Sequence, residues 1–263
     1  MTLSGAFVAA SGSVTGREHR RAERDGQDGH AIVATAEVVA AIVTDGCSSG
    51  RSSEIGARVG AAWLAALVEQ RFRGAVGEER ARAAAAEVAA ELLVRLEVLA
   101  RSLDPDGDVR ALRVDEALLF GFLAAVVTPA TTIVFGIGDG IVVVDGSVTV
   151  LDAGPQNAPP YAAYGLLGAC IQPRIHFVGP TAGIDVVAVA TDGLLPIAEA
   201  SALLAVDRLT VERLTDHPSL VTIAADPRYA KNPSLLRKRL VVLADRGRFS
   251  DDATVAVVRR RPR

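Results

Sequence analysis

Cysteine and histidine are scarce in this chain of 263 residues, and positive charge is not in excess, with 28 Lys and Arg residues against 31 Asp and Glu residues. Two cysteines, Cys47 and Cys170, do not suggest a disulfide scaffold, which favours a reduced, cytoplasmic protein. The net charge of -3 and the pI of about 5.9 argue against a nucleic-acid-binding protein, because such a protein usually needs a basic face. The four histidines show no spacing typical of metal ligands.

Long hydrophobic runs are also missing. The longest apolar stretch, residues 117–127, is too short to cross a bilayer core of roughly 30 Å, and residues 3–14 lack the basic start of a signal peptide. We therefore expect no membrane association. Four arginines at positions 259, 260, 261 and 263 are interpreted as a flexible, solvated tail (259–263) on a single domain that spans residues 1–263.

Apolar periodicity predicts a chain of mixed strands and helices. The predicted strands are residues 31–35, 37–44, 118–127, 131–137, 141–144, 147–151, 185–190 and 253–258. One helix follows Ser52 and Ser53 with its apolar stripe at Ile55, Val59, Trp63 and Leu67, and a second covers residues 78–101. A third follows Asp192, and a fourth begins at Asn232-Pro233 and buries Leu236, Leu240 and Leu243. This order places helices on a pair of antiparallel sheets.

The segment Gly136-x-Gly138-x-Gly140 superficially suggests a dinucleotide-binding loop. Such a loop must lead into a helix, whereas residues 141–144 favour a strand. We therefore predict a hairpin turn at Gly138-Asp139-Gly140 within an antiparallel meander. Residues 152–180 form a long irregular stretch that is a candidate surface flap, the alternative being a plain connection that packs Tyr161 and Tyr164 on the core.

Three aspartates stand at the ends of apolar strands: Asp45, Asp192 and Asp251. If they converge, each pair of carboxylates about 4 Å apart repels by roughly 4 kcal/mol at an effective dielectric of 20. Such a cluster requires cations. Oxygen ligands select hard ions, so the pattern predicts a Mg²⁺ or Mn²⁺ site.

At this point the sequence resembles the bacterial branch of the metal-dependent protein phosphatase family, the protein phosphatase 2C type. The resemblance rests on five motifs in the family's order: Gln27-Asp28, residues 43–50 around Asp45-Gly46, Gly138-Asp139-Gly140, Thr191-Asp192-Gly193, and residues 250–255 around Asp251. Gly16-x-x-His19 and the stretch at residues 157–161 match the bacterial branch.

The resemblance implies an α+β fold, a four-layer α-β-β-α sandwich with two Mn²⁺ or Mg²⁺ ions at one edge. In that arrangement Asp45 bridges both metals, the Gly46 carbonyl binds one of them, and Asp192 and Asp251 hold the other. A water or hydroxide between the ions attacks phosphorus in line.

Three departures from the family pattern concern the ligands. The pair Gln27-Asp28 stands where the family usually has Glu-Asp, although a glutamine carbonyl can also bind a metal. The phosphate-binding arginine is expected to be Arg21 or Arg24, the alternative being a solvated charged loop. Pro196 replaces an acid that helps to bind a third metal in some members, which leaves Asp139 as a third-metal candidate or as a residue that shapes the turn.

Two functions remain open on this basis. The first is a metal-dependent hydrolase that removes phosphate from phosphoserine or phosphothreonine in a protein partner, with a cognate serine/threonine kinase. The second is a catalytically weak or inactive phosphatase-like module that binds a phosphoprotein or a regulator. Gln27 motivates the second function, and the set of Asp45, Asp192 and Asp251 motivates the first.

Overall fold

The computed structural model describes residues 2–74, 77–154, 158–198 and 219–262. These segments contain ten strands: β1 (Phe7–Val14), β2 (Gly29–Ala34), β3 (Val39–Gly46), β4 (Phe120–Val127), β5 (Thr131–Ile137), β6 (Gly140–Val144), β7 (Ser147–Leu151), β8 (Arg174–Pro180), β9 (Val186–Ala190) and β10 (Ala253–Arg260). Seven α-helices have both ends within them: α1 (Leu3–Ala6), α2 (Arg17–Arg21), α3 (Ser53–Phe72), α4 (Glu78–Leu103), α5 (Arg110–Ala117), α6 (Leu220–Ala224) and α7 (Leu235–Asp245). None of the described helices is both long and apolar enough to span a membrane.

The strands form two five-stranded antiparallel sheets. The first sheet has the order β1-β10-β9-β6-β7, and the second has the order β2-β3-β4-β5-β8. Strands β1 and β2 are the edge strands of their sheets and contact each other. The two sheets therefore meet along one edge of the molecule.

Alternate residues of the buried strands face opposite ways, and this alternation builds the layers. In β3, Ala41 faces the other sheet whereas Ile42 faces helices α3 and α4. In β9, Val189 faces inward whereas Ala190 belongs to the core under helices α6 and α7. The layers run helix, sheet, sheet, helix, which confirms the predicted α-β-β-α sandwich.

Most predicted elements are present. The predicted strands 131–137 and 147–151 have the bounds of β5 and β7, and the others overlap observed strands. Helix α7 buries Leu236, Leu240 and Leu243 as predicted, although it begins at Leu235. The helix predicted after Asp192 starts at residue 195 and is described as far as residue 198, and the residues that follow lie outside the described part of the chain.

The predicted meander is wrong at one turn: β4 pairs with β5 and β6 pairs with β7 as predicted, but β5 does not pair with β6. Strand β5 lies in the second sheet and β6 in the first, so Gly138-Asp139-Gly140 is a crossover between sheets and not a hairpin turn. The backbone turns there through positive φ values, +109° at Gly138 and +124° at Gly140, which glycine adopts without strain. The same residue types serve hairpins and crossovers, which is why the sequence did not separate them.

The predicted inward face of α3 is also wrong in part. Ile55 is 41% exposed, whereas Gly56 and Gly60 face the core. An added Cβ at Gly60 would lie 2.3 Å from the Phe120 ring. The first half of the helix therefore packs closely through its glycines, while Leu67 is buried as predicted. Strands β1 and β8 and helix α5 were not predicted.

The predicted flexible tail is shorter than expected, because Arg259 and Arg260 belong to β10. The Arg260 guanidinium donates to the carbonyl oxygens of Thr181 at 2.7 Å and Ile184 at 2.8 Å. It also lies 4.6 Å from the centre of the Phe7 ring. These contacts tie the end of β10 to its surroundings, while Arg263 lies outside the described residues.

Candidate metal centre

Five aspartates line one small cleft where strands of both sheets end. Asp45 stands at the end of β3, Asp192 just after β9, Asp251 and Asp252 just before β10, and Asp139 in the crossover between β5 and β6. The cleft has a volume of about 70 Å³. The strand-end aspartates therefore converge as the sequence predicted, although Asp139 reaches the cleft from a crossover.

The electrostatics of the cleft are those of crowded carboxylates. Burial raises the pKa of Asp45 well above its usual range, and the carboxylates of Asp28 and Asp192 raise this pKa further. Burial also raises the pKa of Asp192 to about 6, with contributions from Asp139 and Asp251. Among the described residues, no arginine or lysine lines the cleft to balance this charge. The arrangement therefore favours the binding of cations.

Asp28 is almost fully buried and is not among the residues that line the cleft. The Thr191 hydroxyl donates to its carboxylate at 2.9 Å. Burial raises the pKa of Asp28 to about 8, and the charges of Asp252 and Asp251 add to this effect against the hydrogen bonds from Thr254 and Thr191. Asp28 thus belongs to the same electrostatic cluster as the strand-end aspartates.

Gln27 presents an unused oxygen. Its side-chain nitrogen donates to the Gly50 carbonyl at 3.0 Å and to the Ser53 hydroxyl at 2.7 Å, which fixes the orientation of the amide. Its Oε1 atom is buried without a hydrogen-bond partner, and Gln27 lines the cleft. A buried carbonyl oxygen without a partner costs free energy unless a ligand satisfies it. A hard divalent cation would do so, so the donor set fits such an ion.

Gly46 keeps this glutamine close to the end of β3. The Gly46 amide donates to the Gln27 carbonyl at 3.2 Å, and an added Cβ at Gly46 would lie 2.7 Å from the same oxygen. A larger residue at position 46 would therefore push the two segments apart. Glycine is needed here for close approach of two backbones.

Asp252 and His19 are two residues whose role the sequence did not reveal. Asp252 is buried, and its carboxylate accepts from the backbone amides of Gly16 at 2.7 Å and Gln27 at 2.6 Å. His19 Nδ1 lies 2.8 Å from the same carboxylate. The one sequence signal for this role was the pair of adjacent acids, Asp251 and Asp252. Because adjacent side chains point in different directions, the two carboxylates could be expected to have different partners.

His19 also lines the cleft, so its ring stands beside the aspartates. Ligand atoms of His19, Asp251 and Asp252 lie within 4.8 Å of one another. Because Nδ1 is taken by Asp252, Nε2 is the ring nitrogen that remains available to a ligand. The ring therefore supplies a nitrogen to a cleft that is otherwise lined mainly by oxygen atoms.

The two arginines predicted to bind phosphate lie elsewhere. Neither Arg21 nor Arg24 is among the described residues that line the cleft. Arg24 donates to the Gly50 carbonyl at 2.8 Å, so its guanidinium lies against the turn that follows β3. Arg21 is exposed at the end of α2. The structure therefore gives no support to a phosphate contact from either side chain.

Part of the stretch predicted as a surface flap covers the cleft. Pro159 and Tyr161 line it, and Tyr161 is buried with its ring centre 5.5 Å from that of Tyr164. Residues 174–180, however, form β8 at the edge of the second sheet. The stretch thus combines a wall of the cleft, tyrosines packed on the core and an unpredicted strand, while residues 155–157 lie outside the described part.

Comparison with known proteins agrees with the resemblance seen in the motifs. The sequence matches the family described as protein phosphatase 2C over residues 15–226. No curated protein sequence gives a significant match.

Solved structures of bacterial phosphatases share the fold. The serine/threonine phosphatase of S. agalactiae aligns with a TM-score of 0.62 at 14% identity, covering 96% of this chain and 99% of that one. The serine/threonine phosphatase Stp1 of Staphylococcus aureus gives a TM-score of 0.60 at 14% identity, covering 98% and 97%. A bacterial serine phosphatase gives 0.59 at 13% identity, covering 96% and 97%. Because the family match extends over well more than half of its length, this chain belongs to the protein phosphatase 2C family.

Proposed function

We propose that this protein is a metal-dependent phosphatase that hydrolyses phosphoserine or phosphothreonine in protein substrates. The observation that carries the proposal is the convergence of Asp45, Asp192 and Asp251 in one cleft. Membership of the protein phosphatase 2C family and the fold shared with bacterial serine/threonine phosphatases support it.

The proposed metal ligands are the carboxylates of the cluster together with two carbonyl oxygens. Asp45, Asp192 and Asp251, the Gly46 carbonyl, Asp28 and the free oxygen of Gln27 would hold two Mn²⁺ or Mg²⁺ ions, with Asp139 as a candidate for a third. When bound, such ions neutralise the carboxylates, activate a water molecule and stabilise charge on the transferring phosphoryl group.

The protein's own residues prepare this site. Thr191 and Asp252 fix the positions of Asp28 and Gln27 through hydrogen bonds, so that the ligands are ordered before any ion arrives. His19 lines the cleft with its Nδ1 atom 2.8 Å from the Asp252 carboxylate, so its Nε2 atom would be available to bind the phosphoryl group in place of Arg21 or Arg24.

The size of the cleft suits a phosphoryl group carried by a larger molecule. A volume of about 70 Å³ is small compared with the roughly 300–1,000 Å³ of pockets that enclose organic ligands. The rest of the substrate would then lie outside the cleft, as it does when phosphate is attached to a polypeptide. We further propose a cytoplasmic protein that opposes a cognate serine/threonine kinase, with Cys47 and Cys170 as free thiols.

Release of phosphate from an aryl phosphate and from a phosphothreonine peptide tests the proposal. The protein should be active with Mn²⁺ and inactive in EDTA, and Asp45→Asn should lower kcat by at least about 100-fold, since Asp45 would be one of the residues that hold the ions. The matched control is Asp106→Asn, an exposed aspartate between α4 and α5 that should keep full activity. Equal rates in Asp45→Asn and the parent protein would refute the proposal.

The alternative is a phosphatase-like module that binds a phosphoprotein without hydrolysing it. Gln27 favours it, because a neutral amide at this position contributes no charge to metal binding. Titration calorimetry with Mn²⁺ separates the two functions. Two binding events support the hydrolase, whereas no binding at millimolar concentrations supports the module.

A further inference from the structure

A second and larger cavity lies at the edge of the sandwich where β1 and β2 meet. Its volume is about 520 Å³, and it is walled by the end of β1, the start of β2, helix α3 and helix α7. None of the residues that line it lines the metal cleft. Residues 26–29 run between the two, and on α2 His19 lines the metal cleft while Arg20 lines this cavity.

The cavity is lined by three arginines from three different elements: Arg20, Arg58 and Arg237. Within the described residues, the side chains of Arg20 and Arg237 make no hydrogen bond or ion pair. Arg58 donates to the Gly26 carbonyl at 2.9 Å and lies 3.8 Å from the exposed Asp25. The three guanidinium groups thus have most of their donors free.

The frame that holds these arginines is closely packed. An added Cβ at Gly12 of β1 would lie 2.7 Å from the Arg237 backbone, so α7 sits directly on β1. His30 lines the β2 side of the cavity and Arg237 lines the α7 side, so these two basic residues face the same space.

Opposing charge in the cavity is limited. Asp245, exposed on α7, is one acid in the lining. Asp28 is the other, but its buried carboxylate is engaged by Thr191 and belongs to the metal cluster. The hydroxyls of Ser13 and Thr15 add neutral donors. The free charged groups are thus three guanidiniums against one carboxylate.

We propose that this cavity binds a phosphoryl group other than the one that is hydrolysed. Guanidinium groups bind phosphate oxygens through paired hydrogen bonds, and arginine is the preferred residue for this geometry. The volume lies within the range of pockets that accept small organic ligands. The phosphoryl group belongs either to a small phosphorylated molecule or to a second modified residue of the protein substrate.

Binding of inorganic phosphate in EDTA, measured by calorimetry at constant ionic strength, tests the proposal without relying on phosphatase activity. The parent protein should bind phosphate saturably. The double variant Arg20→Gln/Arg237→Gln should bind about tenfold or more weakly, since it loses two charged donors. The control is Lys238→Gln, an exposed cation next to Arg237 that does not line the cavity.

Three outcomes would overturn the proposal: absence of saturable phosphate binding, unchanged binding in the double variant, or an equal loss in Lys238→Gln. Circular dichroism confirms that the variants fold. This result is independent of the proposed hydrolase, because a protein that releases no phosphate can still bind it in EDTA.

Kinetic measurements on the Mn²⁺-loaded protein distinguish the two sources of the phosphoryl group. This second experiment rests on the proposed function. If the group belongs to the substrate, a doubly phosphorylated peptide has a lower KM than a singly phosphorylated one, and the double variant removes that difference. If it belongs to a small molecule, the two peptides have equal KM values while phosphate binding in EDTA remains.

Discussion

At the scale of single residues, the main physical feature of the cleft is the electrostatic repulsion among its buried carboxylates. Asp45, Asp192 and Asp251 are held by strand ends, and burial together with mutual repulsion raises the pKa values of Asp45 and Asp192. Among the described residues, no lysine or arginine lines the cleft to reduce this repulsion. Divalent ions would remove it, so ion binding should both activate and stabilise the protein.

His19 is expected to contribute to catalysis more than either nearby arginine. His19→Gln should lower kcat/KM for a phosphopeptide by about tenfold, because the ring nitrogen that faces the cleft is lost. Arg21→Gln is the control and should match the parent, since Arg21 is exposed and does not line the cleft. The assignment fails if Arg21→Gln or Arg24→Gln lowers kcat/KM while His19→Gln leaves it unchanged.

The stability of the metal-free protein should fall as pH rises from about 6.5 to about 8. In this range folded Asp28, with its pKa raised to about 8, keeps a proton that the unfolded chain has already released near its ordinary pKa of about 3.9. The folded state therefore binds more protons, and the free energy of unfolding decreases by about 1.4 kcal/mol per pH unit for each such group. His30 and His176 have lowered pKa values and act mainly below this range.

Urea denaturation in EDTA at both pH values measures this slope. Asp28→Asn should flatten it, since the titrating group is gone. A free energy of unfolding that stays constant or increases with pH in the parent protein would show that the carboxylates of the cluster are not protonated in the folded state.

At the scale of elements, close backbone contacts bring the strand ends together. An added Cβ at Gly193, directly after Asp192, would lie 1.8 Å from the Asp252 carbonyl oxygen. That oxygen is backbone, so the clash can be relieved only by moving the start of β10 away from the end of β9. The geometry of the metal centre therefore depends on this contact.

Gly193→Ala should lower the free energy of unfolding by about 1–3 kcal/mol and should also weaken Mn²⁺ binding. Gly183→Ala is a matched control, because an added Cβ there meets nothing within 4 Å. It should change stability by no more than about 0.5 kcal/mol. Denaturation and calorimetry on both variants provide the comparison, and equal effects in the two would contradict the role given to Gly193.

Sequence patterns identified strands whose residues are mostly apolar, such as β5 and β9. They missed β1, which contains two serines and a glycine, and β8, which contains arginine, histidine and proline. These edge strands are stabilised by pairing with β10 and β5. Such pairing is a tertiary effect that the local pattern of apolar residues does not reveal. The inward face of α3 was misjudged in its first half, where Gly56, Ala57, Gly60 and Ala61 are buried instead of Ile55.

Only part of the candidate site could be read from the sequence. Strand-end aspartates are visible in sequence because an apolar run stops at an acid. The roles of Asp252 and His19 are not visible in the sequence, because they depend on contacts between segments more than 200 residues apart, such as those of Asp252 with Gly16 and His19.

At the scale of the whole molecule, the sandwich brings distant segments together at two places. The metal cleft joins residues from the ends of both sheets, and the larger cavity joins β1, β2, α3 and α7 at the edge. Residues 26–29 lie between them, so a ligand in the larger cavity would touch the segment that carries Asp28. The architecture thus offers a physical route by which one site can affect the other.

The most direct test of the central claim is anomalous diffraction at the manganese edge from crystals of the protein soaked with Mn²⁺. Two anomalous peaks are predicted in the cleft, with Asp45 contacting both at metal–oxygen distances of about 2.0–2.6 Å, and with Asp192 and Asp251 on one of them. A cleft without manganese at saturating concentration, or peaks that Asp45 does not contact, would contradict the account.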